Sequence, residues 1–217
     1  MSGLLQQWSD AMADTSAAVR RSLVQITDGR GSIGAGTIWH SDGLIMTNAH
    51  VVAERNRRQQ VQLRNLTVVV PDGREFPATV LAMDVENDLA ALSINADNLP
   101  TITLGDSRQV RAGQYVMALG HPWGVRDALT AGVVIGVGAE LPEMLPGREW
   151  IALNLQLRPG HSGGPLVDTE GRLIGINTMI SGPEVGFAVP VHIVKQFLKD
   201  ALGHKPEQAA PEEIVIV

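Results

Sequence analysis

The chain has 217 residues, 44% hydrophobic and 18% charged, with 23 glycines, 12 prolines and no cysteine. This is the composition of a globular chain long enough to bury a core, cut into short segments by turns. It excludes disulfides, thiol catalysis and cysteine-ligated metal; a net charge of −6 tells against a nucleic-acid surface, and no apolar run approaches the length needed to span a bilayer.

Residues 3–21 are predicted to be helical, with Leu4, Leu5, Trp8 and Met12 on one face. That face either packs on the chain's own core or meets another subunit. The same segment lacks the basic start and apolar centre of a secretory signal. The expectation is a cytoplasmic protein if the sequence is complete, and a periplasmic or organellar one if a targeting segment has been removed.

Ser22–Ile26 reads as a strand. The following Gly29-Arg30-Gly31-Ser32-Ile33-Gly34 matches G-x-G-x-x-G, but a dinucleotide site needs a helix next. Here Thr37-Ile38-Trp39 and Leu44–Thr47 flank Ser41-Asp42-Gly43 as a hairpin, so no cofactor is expected. That hairpin delivers His50 in a turn at the end of an apolar strand. The basic residues Arg55, Arg57, Arg58 and Arg64 read as a solvated loop. Strands over 67–70 and 75–81 enclose Pro71-Asp72-Gly73, and Asp88 precedes the apolar run 89–92. Residues 100–106 mark a boundary between two lobes.

The second lobe repeats the pattern, with strands over 114–119, 130–137 and 150–157 and a loop over 139–149. Ser162 follows, ringed by Gly160, Gly163, Gly164 and Pro165. Leu166-Val167 and Leu173–Ile176 flank an Asp/Gly turn and read as a hairpin. GHSGG also fits the G-x-S-x-G elbow of an α/β-hydrolase esterase, but that elbow runs from strand straight into helix. A last strand over 187–189 leads to Pro190 and a helix with Val191, Val194, Leu198 and Ala201 on one face, stopped at Gly203. The tail ends in Ile214-Val215-Ile216-Val217, four β-formers able to add a strand to the chain's own barrel or to a partner. The fold class is all-β with a helix at each end, and β–helix–β units are absent. The units are a helical segment (1–21), two β units (22–105 and 106–190), a helix (191–203) and a tail (204–217).

Glycines around one hydroxyl suit a nucleophile whose neighbouring N–H groups converge where an oxyanion develops; they equally suit a tight turn. His50, Asp88 and Ser162 come in the chain order of the chymotrypsin triad. In that reading Ser162 attacks, His50 takes and returns the proton, and Asp88 orients the imidazole. Histidine alone titrates near neutrality unaided, which makes His50 the base. No metal site is expected.

Six stretches carry a family resemblance: TNAHVV (47–52), NDLAAL (87–92), LGDSRQVRAGQYVMALGHPWG (104–124), TAGVVIG (130–136), PGHSGGPLVDTEGRLIGIN (159–177) and GFAVP (186–190). Across residues 20–200 the chain resembles the protease domain of the HtrA/Deg family of trypsin-like serine proteases. The resemblance implies two six-stranded antiparallel β-barrels with the site between them, His50 and Asp88 from the first and Ser162 from the second. It implies an oxyanion hole from Gly160 and Ser162, with Gly163 nearby. It also implies a substrate pocket bordered by Asn154, Leu155, Gln156 and Leu157 and by Phe187 and Ala188. Gln156 stands six positions before the serine, where an enzyme for basic residues holds Asp, so cleavage after small or medium aliphatic residues is expected. The implied function is a serine endopeptidase in quality control of unfolded or misfolded polypeptides, assembled as a homotrimer through the N-terminal segment. A catalytically silent chaperone or scaffold is the alternative. Three departures stand out: His161 replaces the family's Asn before the nucleophile, Leu153-Asn154-Leu155 replaces Thr-Asp-Ala, and residues 204–217 hold no counterpart of the family's PDZ domain.

Overall fold

The computed structural model describes residues 2–55, 60–138, 148–181, 185–203 and 215–216. Helix α1 (Ser2–Arg20) leads into β1 (Leu23–Thr27), β2 (Ser32–Ile38) and β3 (Leu44–Thr47). The short helix α2 (Ala49–Val52) and β4 (Ala53–Arg55) follow, then β5 (Val61–Leu63), β6 (Leu66–Val69), β7 (Glu75–Asp84) and β8 (Leu89–Ile94). The second lobe holds β9 (Tyr115–Gly120), β10 (Ala128–Gly138), β11 (Trp150–Asn154), β12 (Pro165–Val167), β13 (Leu173–Ser181) and β14 (Val185–Pro190). Helix α3 (Val191–Leu202) and β15 (Val215–Ile216) complete the described chain.

In the first lobe the ring runs β7-β6-β1-β2-β3-β8 and closes through antiparallel β7–β8 pairing. In the second it runs β10-β11-β14-β13-β12-β9 and closes on itself. These are the two six-stranded antiparallel barrels expected from the resemblance, and with them the α/β-hydrolase architecture is excluded. Each ring carries register shifts, between Val80 and Ala82 on β7 and between Val134 and Gly136 on β10, where an extra residue bends the strand.

The period of two along a strand builds two cores at once. On β8, Ala90, Leu92 and Ile94 fill the first barrel while Leu89 and Ala91 face the other way. On β9, Val116 and Ala118 fill the second barrel while Met117 and Leu119 face out of it. The outward sets meet, with Met46, Trp150, Ile176 and Val194 of α3, in one buried layer shared by both barrels. Asp88 and Thr47-Asn48 sit at the rim of that layer, so the barrel junction is what brings the two lobes' loops together.

Three details differ from the sequence reading. His50 lies in α2, a single helical turn. Strands β4 and β5 pair antiparallel where a loop was expected, and Arg64 is held by Asp28 and Glu54 at 3.4 and 3.2 Å; Arg57, Arg58 and residues 139–147 lie outside the described residues. Strand β11 ends at Asn154 instead of Leu157. The tail pairs β15 in parallel with Ala82 and Met83 of β7, an edge contact that a run of four β-formers permitted without specifying. On α3, Phe197 is buried with Val191, Val194 and Ala201, while Leu198 packs at the margin. On α1, Trp8 meets Tyr115 edge-on at 5.4 Å, and Leu4 and Leu5 remain 74% exposed.

Candidate active site

His50 and Asp88 approach each other from the ends of β3 and β8. Asp88 takes a left-handed backbone (φ 54°), which Asp tolerates at small cost. Its carbonyl accepts from Asn48 Nδ2 at 2.9 Å. Its Oδ1 accepts the His50 backbone N–H at 3.0 Å, and its Oδ2 lies 2.8 Å from His50 Nδ1. A carboxylate only accepts, so Nδ1 carries the imidazole proton and Nε2 presents a lone pair. Thr178 on β13 donates its Oγ1 to the same Oδ2. Sequence reading missed Thr178; the available signal was its place directly after the IN that closes the serine motif.

Ser162 is carried on a loop clamped to both barrels. Its carbonyl accepts from Ala35 N on β2 at 2.8 Å, and Gly163 N donates to Asn177 O at 2.9 Å. Gly163 has φ 82°, and a Cβ there would lie 2.1 Å from both Ala35 O and Thr47 Oγ1, so only glycine fits between the barrels at this point. The Ser162 hydroxyl donates to Thr178 O at 3.1 Å and makes no hydrogen bond to His50. Thr178 thus touches Ser162 through its carbonyl and Asp88 through its side chain.

Arg158 to His161 form a tight turn closed by His161 N to Arg158 O at 2.9 Å. Pro159 occupies its second position and Gly160, with φ 106°, its third. Positive φ at that position defines a type II turn, whose central peptide is flipped relative to type I. The flip fixes the direction in which Gly160 N–H points. The amides of Gly160 and Ser162 donate to no group among the described residues. The turn rests on the 121–124 segment: His121 N donates to Gly160 O at 2.8 Å, and a Cβ on Gly160 would lie 2.5 Å from His121 O.

Two histidines lie behind this turn. His161 is 3% exposed, and its Nδ1 faces Arg158 N at 3.1 Å. His121 is 4% exposed, and its Nδ1 accepts from Asp127 N at 3.2 Å. Their Nε2 atoms are buried without a partner among the described residues. Burial holds both imidazoles below the usual histidine range, because charging them in a low dielectric is unfavourable.

Of the expected pocket residues, Leu155, Leu157 and Ala188 pack in the second barrel, and Phe187 stands edge-on to Trp150 at 6.4 Å. Asn154 and Gln156 reach solvent. Gln156 Oε1 accepts from Arg158 Nη2 at 2.8 Å, and the Arg158 guanidinium lies 4.6 Å from the centre of the Trp123 ring. A cleft of about 420 Å³ opens beside His50 and Asp88, walled by Ala53, Val61, Met83 and Val85, with Glu54 and Arg148 also lining it. Those wall residues were not anticipated, since they come from three separate strands and a turn.

Residues 34–176 match the trypsin-like peptidase domain family. A probable periplasmic serine endoprotease, DegP-like, of Halomonas elongata is 40% identical over 171 residues, covering 76% of this chain and 34% of that protein. The mitochondrial serine protease HTRA2 of Drosophila willistoni is 38% identical over 182 residues, covering 82% of this chain and 41% of the relative. The chain therefore spans well under half of these relatives' length. Among solved structures, the HtrA-type protease AlgW with a decapeptide superposes with a TM-score of 0.79 at 28% identity, covering 89% of this chain and 68% of that one. With a family match across most of both barrels and HtrA-type proteases as its relatives in sequence and in structure, the chain belongs to the trypsin-like peptidase domain family.

Proposed function

We propose that this domain is a serine endopeptidase in which Ser162 is the nucleophile, His50 the general base and Asp88 the residue that orients it. The observation that carries the reading is the pair of unengaged amides, Gly160 and Ser162, beside a hydroxyl on a glycine-clamped loop. Ser162 Oγ swings from Thr178 O toward His50 Nε2 and attacks the scissile carbonyl as its proton passes to the imidazole. The oxyanion is held by the two amides, worth about 10²–10³ in kcat for each donor. Collapse releases the amine with the proton from His50, and water repeats the sequence on the acyl-enzyme. Asp88 stabilises the imidazolium throughout, and Thr178 helps hold the carboxylate.

Residues accepted ahead of the cut are small or medium aliphatic, because Gln156 offers no charge and is already engaged by Arg158. The substrates are unfolded or misfolded polypeptides, and the working unit is a homotrimer joined through Leu4, Leu5 and Trp8, large apolar side chains that stand 74%, 74% and 49% exposed. A neutral fluorophosphonate probe, with the adduct located by peptide mass, tests the assignment. The expected adduct is on Ser162. An unlabelled, folded chain would instead support a silent scaffold.

A further inference from the structure

Arg158 and Trp123 form a platform that the triad chemistry does not use. Trp123 is 70% exposed and takes a left-handed backbone, φ 53°, between Pro122 and Gly124. Holding a bulky aromatic residue in that region is costly, so the surrounding turn must hold this backbone in place. The turn packs on the oxyanion turn: a Cβ on Gly160 would lie 2.8 Å from Pro122 Cα. Arg158, the first residue of the oxyanion turn, lays its guanidinium over the indole at 4.6 Å. One nitrogen, Nη2, donates to Gln156 Oε1 at 2.8 Å. Arg158 makes no ion pair with a carboxylate among the described residues.

An arginine stacked on an aromatic face has lost rotamer freedom before any ligand arrives and keeps its in-plane N–H groups open. Planar donors in a fork match the two oxygens of a carboxylate. Arg148, lining the cleft beside His50, is likewise without an ion pair among the described residues. In a chain of net charge −6, an arginine without an ion pair among the described residues thus stands at the head of the turn that carries Ser162. Because the platform is bonded to the oxyanion turn, whatever it holds lies near the reacting carbonyl.

We infer that Arg158, stacked on Trp123, is a specificity-determining residue that binds a carboxylate of the substrate close to the scissile bond, either an Asp or Glu side chain or a free chain terminus. The inference rests on the endopeptidase reading and deepens it: the favoured substrates are polypeptides with an acidic group beside an aliphatic cleavage position.

The test uses the whole wild-type chain on a library of denatured polypeptides, with cut sites mapped by mass spectrometry. Matched peptides follow, with Glu or Gln at each position within about three residues of the cut, and with a free or amidated C-terminus. Expected is a Glu-over-Gln or acid-over-amide preference of about three- to fivefold in kcat/KM, the scale of a partly exposed ion pair, shrinking as salt is raised. Preference for Glu identifies a side chain as the source, and preference for the free acid identifies the terminus. Arg158→Gln should abolish the preference and Trp123→Ala should weaken it, with fluorophosphonate labelling of Ser162 confirming that each variant keeps its site. Equal rates for all matched pairs, or a preference that survives Arg158→Gln in a labelled variant, overturns the inference while leaving the endopeptidase reading in place. If the wild-type chain is neither labelled nor active, the endopeptidase reading fails and this inference falls with it.

Discussion

Replacing Thr178 by Val isolates the contact that sequence reading missed. Val keeps the volume and the backbone carbonyl that accepts from Ser162, and removes only the hydroxyl that donates to Asp88 Oδ2. Thr178 is 5% exposed, so water cannot readily replace the lost donor. A hydrogen bond to a charged group contributes about 1.5–3 kcal/mol, and at about 1.36 kcal/mol per factor of ten that bounds the effect at about 13–160-fold. Only part of it should reach kcat/KM, because His50 N and Nδ1 still hold both carboxylate oxygens. The expectation is a loss of about tenfold in kcat/KM with KM little changed, restored by Thr178→Ser. A fall in Tm of a few degrees should accompany it. Wild-type kcat/KM in Thr178→Val would show that His50 alone holds the carboxylate. A loss that Thr178→Ser failed to rescue would assign the effect to packing.

Gly160→Ala places a Cβ 2.5 Å from His121 O at a position with φ 106°; the turn should flip and kcat fall by about 10²–10³, as for loss of one oxyanion donor, and an unaltered kcat would remove Gly160 from the hole. His161 is buried neutral, so its folded pKa lies below the unfolded value of about 6.5; the stability it contributes is complete above that value and is lost as pH falls toward the folded pKa. His161→Asn should therefore flatten the fall in stability on the acid side of pH 6.5, read by denaturant unfolding at several pH values, and an unchanged profile would leave the acid loss to His121 or other groups. Deleting residues 2–14 removes Leu4, Leu5, Trp8 and Met12 and should give monomers by light scattering; a persisting trimer would move the contact elsewhere.

Much of the fold was legible because period-two apolar runs and Asp/Gly turns are local signals. The hairpins at 37–47, 67–81 and 166–176 follow from their own residues. What local patterns could not supply was closure. Whether β1 pairs with β6 and β3 with β8, or where Val215-Ile216 pairs, depends on contacts between distant residues that leave no mark on short-range periodicity. The site divides the same way. The His50–Asp88 contact at 2.8 Å was legible through residue type, chain order and motif, and the glycine ring around Ser162 marked the turn. Thr178 was hidden because a threonine inside a strand has many uses, and its contact appears only when β13 brings it against Asp88. Leu155 and Leu157 were expected beside substrate; in the structure both lie past the end of β11 and are buried with the core of the second barrel. No local pattern pairs Arg158 with Trp123, 35 positions earlier in the chain; their contact exists only because the 121–124 segment packs on the oxyanion turn.

The central claim is that Ser162, activated by His50 beside the Gly160 and Ser162 amides, cleaves polypeptides. Its most direct test is the rate at which wild type and Ser162→Ala, prepared free of other proteases, degrade casein. The account predicts turnover by the wild type and a loss of about six orders of magnitude in the variant, as for triads that act as a unit, with the fold intact by circular dichroism. Casein cleavage that persists in Ser162→Ala would contradict it.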